Sequence, residues 1–267
     1  MEHILSLSYG KDSLACLGAI EKLGWQLDRI IHAEIWATDT IPADLPPMTQ
    51  FKVKADKIIK ERYGLTVEHI RSDNTYEKIF YRTVKTPKCK NTGRIYGFPV
   101  IKGSWCNSYL KTSVLSKIDS GNISYVGIAV DEPKRYKVLG DMKISPLVSA
   151  EWTEKMCYDW CVEHDLLSPI YNTSTRGGCW FCHNQSIDQL RLLRRDYPDY
   201  WKLLLKWDRD SPISFKPNSR AVADYDRRFQ LEDMGLIYPN DRRFRWEWVT
   251  SYFEKHDTNC HGDNLSS

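Results

Sequence analysis

Short apolar runs alternate with longer segments of helical periodicity along the first half of the chain. Residues 3–7, 30–36, 66–70 and 123–128 have the length and composition of buried strands. Apolar positions at helical spacing fall between them, over residues 14–20, 48–63 and 107–118; a shorter helix is predicted over 76–83 and a loop over 84–104. This alternation predicts an α/β fold with an open, parallel, twisted sheet and helices on both faces.

From residue 151 the pattern is mainly helical. Residues 153–164 predict a helix that begins at Thr153 and carries Glu154 in its first turn. Residues 186–255 are also mostly helical by pattern, with interruptions at Pro212, Pro217 and Pro239. We therefore expect an α/β domain over residues 1–150 and a helical region over residues 151–267 that carries a pair of cysteines.

Composition places the chain among ordinary globular proteins, since 42% of its 267 residues are hydrophobic and 27% are charged. No apolar run has the length of a membrane span, and the N-terminus lacks the features of a secretory signal. The sequence therefore predicts a cytoplasmic protein with no membrane partner. Eight cysteines in a chain of this length then indicate metal binding or redox chemistry rather than a disulfide scaffold.

The net charge of +3 excludes a strongly basic nucleic-acid binder but leaves room for a local patch. Residues 191–245 hold thirteen Arg and Lys against nine Asp and Glu, interleaved with Trp201, Trp207, Phe215, Tyr225, Phe229, Tyr238 and Phe244. Aromatic rings among arginines can stack on nucleic-acid bases. The same spacing is typical of a helical core with arginines on its solvated face, so both interpretations stand.

Residues 6–13, Ser-Leu-Ser-Tyr-Gly-Lys-Asp-Ser, lie where the first strand turns into the first helix. Ser8, Gly10 and Ser13 are small, which lets backbone N–H groups approach an anion at the helix N-terminus. Lys11 adds a cation, and Asp12 adds a contact for a metal or a proton. The segment is not a Walker A loop, because it lacks that motif's first glycine and its Gly-Lys-[Ser/Thr] triplet. A simple helix cap is the alternative role of these residues.

Residues 8–13 closely resemble the S-G-G-K-D-S signature of the PP-loop ATP pyrophosphatase family, with Tyr9 in place of the second glycine. The resemblance implies that ATP binds with Mg²⁺ and is cleaved between its α and β phosphates. It implies nucleotide contacts at Ser6, Ser8, Tyr9, Gly10, Lys11, Asp12 and Ser13, of which the last three are the catalytic set. Ligands of open α/β sheets bind beyond the carboxyl ends of the strands, so Asp39, after the second strand, joins the candidate contacts.

Further segments resemble the branch of that family that contains the sulfonucleotide (PAPS) reductases. They are Trp105-Cys106-Asn107-Ser108-Tyr109-Leu110-Lys111, similar to W-C-x-x-x-L-K; Gly127-Ile128-Ala129-Val130-Asp131-Glu132 with Arg135, similar to G-I-R-x-D-E-x-x-R; then Ser145-Pro146-Leu147, Trp152-Thr153-Glu154 and Ser168-Pro169-Ile170-Tyr171. The resemblance spans about residues 1–185 and implies nucleotide contacts at Lys111, Gly127, Asp131, Glu132 and Arg135. Ala129 replaces an arginine of the reductases, which disfavours a sulfate-bearing nucleotide.

Cys179 and Cys182 follow a double glycine as a C-x-x-C pair. From this spacing alone, a metal clip, a redox disulfide and two inert buried thiols are all open. In the PAPS reductase branch, a cysteine equivalent to Cys106 joins the pair to hold a [4Fe–4S] cluster. The resemblance therefore implies Cys106, Cys179 and Cys182 as ligands, although Asn107 replaces the second cysteine of the family's usual Cys-Cys pair.

The fourth ligand is open at this stage. Cys161 is the preferred candidate, Cys157 one helical turn earlier is its rival, and His183 offers a nitrogen ligand. An iron without a protein ligand would instead bind sulfide or substrate, as in related tRNA thiolases. Zn²⁺ is the alternative metal, because four-coordinate Cys₃His and Cys₄ sites suit it equally well.

Together these resemblances imply an ATP-dependent enzyme that adenylates a substrate, releases pyrophosphate and transfers sulfur to a nucleic-acid base or a small acceptor. Its partners would be ATP, a nucleic-acid substrate, a sulfur donor such as a cysteine desulfurase, and a second copy of the chain in a homodimer. Two other functions stay open. One is a sulfonucleotide reductase with Cys260 as nucleophile; the other is a regulatory or defence-complex module that binds nucleotide without catalysis because Tyr9 crowds the phosphates.

Overall fold

A computed structural model describes residues 1–87, 91–99, 104–172 and 177–257. Within them, five strands form one parallel sheet: β1 (His3–Ser6), β2 (Arg29–Glu34), β3 (Val67–Arg71), β4 (Ile123–Tyr125) and β5 (Lys143–Ile144). Their order across the sheet is β3-β2-β1-β4-β5. The predicted α/β fold with a parallel sheet flanked by helices is confirmed, and the arrangement is Rossmann-like.

Strand β1 lies at the centre of the sheet. Leu5 pairs with Ile30 of β2 on one side and with Tyr125 of β4 on the other, and all three side chains are buried. The strand order reverses between β1 and β4, so the loops that leave these two strands diverge and open a crevice at the carboxyl edge of the sheet. The segment with residues 6–13 and the segment after β4 both border this crevice.

The sheet is flanked by helices whose ends follow local sequence rules. They are α1 (Lys11–Leu23), α2 (Pro46–Tyr63), α3 (Tyr76–Phe80), α4 (Trp105–Asn107), a π-turn (Ser108–Thr112), α5 (Ser113–Asp119), α6 (Pro133–Tyr136), α7 (Pro146–Ser149), α8 (Glu154–Glu163) and a 3₁₀ turn (Pro169–Asn172). Helix α1 ends at Gly24 and α2 at Gly64, both in the left-handed conformation that glycine favours. Thr153 caps α8, as its sequence predicts, by accepting a hydrogen bond from the Met156 amide.

Helix α8 packs directly on α1. A Cβ atom placed on Gly18 would lie 2.4 Å from the Trp160 indole nitrogen, so only glycine allows this approach. The fully buried Cys157 and Cys161 lie in the same core as Cys16 of α1. This contact ties α8 to the sheet.

The chain divides into two compact units, residues 1–182 and 183–267. The sequence pattern predicts the domain boundary earlier, at residue 150. The later division has a physical reason, because α8 packs on α1 and Trp180 donates its amide to Ala43 and its indole N–H to Pro42. The Cys179–Cys182 segment therefore belongs to the first unit.

The second unit is helical, with α9 (Ile187–Asp196), α10 (Pro198–Asp210), α11 (Val222–Asp233) and α12 (Trp246–Asp257). Ser186 and Gln189 form a capping box at the start of α9. Glu232 accepts hydrogen bonds from Arg191 at 2.6 Å and from the buried Arg228 at 2.9 Å, which holds α9 against α11. Because the Arg228 and Glu232 side chains are both buried, removing either one would leave the other charge buried and unpaired.

The aromatic residues of this unit are mostly core. Trp201, Trp207, Phe215, Tyr225 and Phe229 are buried, whereas Tyr238 is 74% exposed. Packing thus accounts for these five rings, and they are not free to stack on bases. Among the described residues, no helix combines the length and the apolar character that crossing a membrane requires.

Candidate active site

In the segment that joins β1 to α1, residues 7–10, three hydrogen bonds converge on the hydroxyl group of Ser13. Ser13 Oγ accepts hydrogen bonds from the Ser8 amide at 3.1 Å and from the Ser8 hydroxyl at 3.0 Å, and it donates to the Gly10 carbonyl at 3.0 Å. We refer to residues 7–10 as the β1–α1 loop. The short side chains at positions 8 and 13 are therefore required by the loop's own geometry as well as by the space above it.

Backbone donors at the start of α1 face this loop. Within the described part of the chain, the amides of Tyr9, Gly10 and Asp12 donate to no protein acceptor. The Lys11 amide donates to the Tyr171 hydroxyl at 2.9 Å. Together with the helix dipole, these donors make the end of α1 attractive to an anion.

Tyr9 adopts a left-handed backbone conformation, with φ of 57°, which costs a non-glycine residue about 1 kcal/mol. Its ring is fully buried, and its hydroxyl donates a short hydrogen bond to Asp56 and lies 3.1 Å from His69 Nε2. Burial and these carboxylate contacts raise the pKa of the Tyr9 phenol. The hydroxyl is thus bonded to α2 and β3, away from the amides at the start of α1.

Three carboxylates meet beside Lys11. In the described residues, Asp12, Glu132 and Glu154 are the one set of three or more His, Cys, Asp and Glu side chains whose ligand atoms all lie within 4.8 Å of one another. Lys11 Nζ lies 2.7 Å from Asp12 and 3.5 Å from Glu154. Burial acts to lower the pKa of Lys11, but the hydrogen bond and charge of Asp12 outweigh it, so the pKa is raised.

This acidic trio has the chemistry of a magnesium site. Oxygen ligands suit a hard divalent cation, which usually takes one or two protein carboxylates and completes its shell with water or phosphate oxygens. Arg135 Nη1 lies 2.7 Å from both oxygens of Glu132 and orients that carboxylate. Asp12, Glu132 and Glu154 could therefore hold Mg²⁺ next to the β1–α1 loop.

The segment after β4 is pressed against the start of α1. A Cβ atom on Gly127 would lie 2.6 Å from the Ser13 nitrogen, so this position admits only glycine without a shift of backbone. Four residues on, Asp131 accepts a hydrogen bond from the Glu154 amide at 3.0 Å. Gly127 and Asp131 thus act by placing the acidic trio, the former through backbone contact and the latter through the first turn of α8.

A cavity of about 310 Å³ lies against the β1–α1 loop. Its walls come from β2, α2, the loop and the double glycine before Cys179; they are Ser8, Tyr9, Gly10, His32, Ala33, Ile35, Ala43, Asp44, Met48, Lys52, Lys111, Ile170, Gly177, Gly178 and Cys179. The volume is in the range of small-molecule sites. The cavity is thus lined both by Tyr9 and Gly10, whose amides donate to no protein acceptor within the described residues, and by Cys179 of the C-x-x-C pair.

One wall of the cavity is a buried polar network. Lys52 Nζ donates to Asp44 Oδ2 at 2.5 Å and to His32 Nε2 at 2.7 Å, while His32 Nδ1 donates to the Leu7 carbonyl at 2.9 Å. Burial, with the charge of Lys52 second, lowers the pKa of His32 to about 3, so its imidazole is neutral. The network fixes the carbonyl that immediately precedes Ser8.

Lys111 reaches the same cavity from the π-turn. Its ammonium group makes no hydrogen bond or ion pair within the described residues. Burial lowers the pKa of Lys111, and the neighbouring Cys179 acts in the opposite direction. A half-buried cation in this position favours an anionic ligand in the cavity.

The three predicted cluster ligands lie near one another. Tyr76 interacts electrostatically with Cys106, Cys179 and Cys182, and burial together with Cys182 raises the pKa of Cys106 to about 11. A tetrahedral zinc site holds its sulfurs about 3.8 Å apart, given Zn–S bonds of about 2.3 Å. These sulfurs are not all that close, since the described residues contain no cysteine trio within 4.8 Å.

Cys161 lies elsewhere. Its Sγ donates to the Lys11 carbonyl at 3.3 Å, and burial, followed by the charge of Asp12, raises its pKa to about 12. Cys157 has the same charged neighbours. The structure therefore brings both fourth-ligand candidates to the start of α1. His183 is buried at the start of the second unit, and Cys260 falls outside the described residues.

Some site residues could not be found from the sequence motifs. Asp39, a predicted contact, is exposed and ion-paired with Lys78 at 2.6 Å, and it does not line the cavity. Asp44 and Lys52 line the cavity instead. The signal for Lys52 was its position on the apolar face of α2, three residues before the buried Ala55. Tyr171 belongs to the segment Ser168-Pro169-Ile170-Tyr171 noted above, but nothing in that segment predicted its hydrogen bond to the Lys11 amide.

The assembled groups can bind a polyanion, hold a divalent cation beside it and admit a small organic ligand next to Cys179. Such a combination suits transfer of a phosphoryl or nucleotidyl group. No family model matches the chain, and a search of curated proteins finds no match.

Proposed function

We propose that this protein is an ATP-dependent enzyme that adenylates a substrate and releases pyrophosphate, and that the activated substrate then receives sulfur. The observation that carries the proposal is the meeting of free amides, Lys11 and three carboxylates at the start of α1, in the crevice where the strand order of the sheet reverses. A triphosphate would bind the amides and Lys11, and its magnesium ion would bind the three carboxylates.

In the proposed reaction, an oxygen of the acceptor attacks the α-phosphorus of ATP. A bond forms between that oxygen and phosphorus as the bond to the β-phosphate oxygen breaks, and pyrophosphate leaves. Lys11 and the amides of Tyr9 and Gly10 stabilise the charge that develops on the departing phosphates. Asp12, Glu132 and Glu154 would hold Mg²⁺, which when bound neutralises phosphate charge.

The second half of the proposal concerns sulfur. A nucleophile of the hydrosulfide class attacks the acceptor carbon that bears the adenylated oxygen. The bond between that carbon and the oxygen breaks, and AMP leaves with the oxygen. Cys106, Cys179 and Cys182 would hold an iron–sulfur cluster, which can bind sulfide at an iron that lacks a protein ligand. Cys179 and Lys111 line the cavity beside the β1–α1 loop, so the anionic sulfur and the nucleotide would meet there.

The test is product analysis under anaerobic conditions with ATP labelled at the α-phosphate in one sample and at the γ-phosphate in another. The protein is incubated with Mg²⁺, a sulfide source and either total RNA, DNA or small-molecule acceptors. AMP and pyrophosphate are the expected products, together with sulfur incorporated into one acceptor. ADP and phosphate would reject adenylation. ATP that binds and is recovered unchanged with every acceptor would instead favour a non-catalytic nucleotide-binding module.

A further inference from the structure

Among the described residues that line the cavity beside the β1–α1 loop, Asp44 is the one with a carboxylate. We propose that Asp44, oriented by Lys52, accepts hydrogen bonds from the ribose hydroxyls of the nucleotide and so selects ribonucleotides over deoxyribonucleotides. This inference rests on the proposed ATP-dependent function and adds a specificity-determining residue to it.

Only one of the two carboxylate oxygens of Asp44, Oδ2, is held by a hydrogen bond within the described residues. Lys52, whose side chain is 10% exposed, donates to Asp44 Oδ2 at 2.5 Å and is itself anchored to His32 at 2.7 Å. Lysine is rarely buried unless it is paired. The pair therefore fixes the direction of the Asp44 carboxylate within a wall that also includes the Tyr9 ring, 5.3 Å from the Lys52 ammonium.

The other carboxylate oxygen is available to a ligand. Within the described residues, Asp44 Oδ1 accepts no hydrogen bond, and 29% of the side chain is accessible from the cavity and solvent. An ionised carboxylate can only accept, so it selects ligand groups that donate through O–H or N–H. It repels phosphate, which belongs at the amides and lysines of the same cavity.

Position favours ribose among such ligands. Ser8 and Gly10 line the cavity, so a nucleotide whose phosphates reach the start of α1 places its sugar in or near it. Asp44 follows β2, at the carboxyl edge of the sheet. An acidic side chain beyond the second strand of a dinucleotide-binding fold commonly binds the ribose hydroxyls, because it lies one sugar's length from the phosphate-binding turn. Asp44 likewise lies between the second strand and the next helix, and it lines the same cavity as Ser8 and Gly10.

The experiment compares dissociation constants of ATP, 2′-deoxyATP and 3′-deoxyATP, each with Mg²⁺, by isothermal titration calorimetry on the full chain. A hydrogen bond to a charged acceptor contributes about tenfold or more in affinity. We expect the wild type to bind at least one deoxynucleotide about tenfold more weakly than ATP, and Asp44→Asn to reduce that ratio to about threefold or less, because a neutral amide accepts more weakly.

Asp39→Asn is the matched control. Asp39 lies in the same connection between β2 and α2, is ion-paired with Lys78, and does not line the cavity, so this variant should keep the wild-type ratio. If Asp44→Asn does not fold, as judged by circular dichroism, Asp44→Glu replaces it. That variant keeps the charge beside Lys52 but moves the acceptor by one methylene, and it should also lower the ratio.

The outcomes separate the two proposals. Equal affinity of the wild type for ATP and both deoxynucleotides would overturn the role of Asp44 while leaving the ATP-dependent function standing. An unchanged ratio in a folded Asp44 variant would do the same. A wild type that binds none of the three nucleotides would reject both the proposed function and the inference built on it.

Discussion

Tyr9 shows how one residue can depart from a motif and still preserve its geometry. Glycine would adopt φ of 57° without strain, whereas tyrosine requires compensation. Here the compensation comes from a buried ring and from hydrogen bonds to Asp56 and His69. The phenol thus stabilises the β1–α1 loop instead of filling the space in front of it, which removes the structural reason for expecting a blocked phosphate site.

Tyr9→Phe should lower the free energy of unfolding by about 1–2 kcal/mol, because the ring stays while a hydrogen bond to a carboxylate is lost. Urea denaturation measures the change. Tyr63→Phe is the control, since the Tyr63 hydroxyl makes one long contact of 3.4 Å to Glu21 and its loss should cost less than about 0.5 kcal/mol. Equal effects in the two variants would contradict this account of Tyr9.

His32 should make stability depend on pH. Its pKa falls from 6.5 to about 3 in the folded state through burial and Lys52, so below pH 6.5 the unfolded chain takes up a proton that the folded chain does not. The stabilisation is present above that pH and is lost as pH falls from about 6.5 towards 3. Between pH 7 and pH 5 this one residue should cost about 2 kcal/mol of unfolding free energy.

The comparison that isolates this contribution is His32→Asn, which keeps a donor for the Leu7 carbonyl and cannot titrate. Denaturant titrations at pH 7 and pH 5 should show a smaller loss in the variant than in the wild type. A loss of the same size in both proteins would mean that other groups carry the pH dependence.

At the scale of elements, helix α1 is the part that organises the candidate site. Its first turn presents the amides, Lys11 and Asp12, while its body receives α8 at Gly18. The loop after β4 contacts the same first turn through Gly127. Any side chain at position 127 must therefore push the segment that carries Glu132 away from the first turn of α1, which carries Asp12.

Gly127→Ala should destabilise the protein by about 2 kcal/mol or more, since overpacking against backbone is not relieved by side-chain movement. It should also weaken Mg²⁺-dependent ATP binding. Gly140→Ala makes a matched control, because a Cβ atom there meets nothing within 4 Å. Thermal unfolding and calorimetry measure the two effects, and a Gly127→Ala protein as stable as the control would contradict the close approach.

The sequence predicted the elements better than their relations. Short runs centred on apolar residues located β1 to β4, although in β3 Glu68 is only half-buried and His69 is exposed. The predicted strand over 123–128 instead ends at Tyr125, where the chain turns to place Gly127 against α1. Strand β5 has two residues and leaves no periodic signal. The direction of the Tyr9 ring and the pairing of Asp44 with Lys52 are tertiary facts that no local pattern encodes.

At the scale of the whole molecule, the six cysteines of the described residues fall into two groups with different expected roles. Cys16, Cys157 and Cys161 lie in the α1–α8 core, while Cys106, Cys179 and Cys182 surround Tyr76 near the cavity. Motif spacing could suggest Cys161 as a ligand, but the packing of α8 against α1 decides where that sulfur lies.

Protein purified anaerobically should contain iron, and Cys106→Ser should lose more than half of it. Cys161→Ser is the matched control and should retain wild-type iron, because its sulfur contacts the Lys11 carbonyl. Metal analysis and the visible absorption spectrum provide the readout. Stoichiometric zinc without iron, or loss of iron in the Cys161 variant alone, would contradict the proposed ligand set.

If the start of α1 binds the departing phosphates of ATP, it also binds magnesium pyrophosphate, and this binding can be measured without knowledge of the acceptor. Lys11→Met removes the cation beside the loop, while Lys22→Met removes one from the last turn of the same helix, where it contacts the Ala150 carbonyl. Calorimetry should show binding to the wild type, about tenfold weaker binding to Lys11→Met, and no change in Lys22→Met. No binding to the wild type, or equal binding to all three proteins, would contradict the claim.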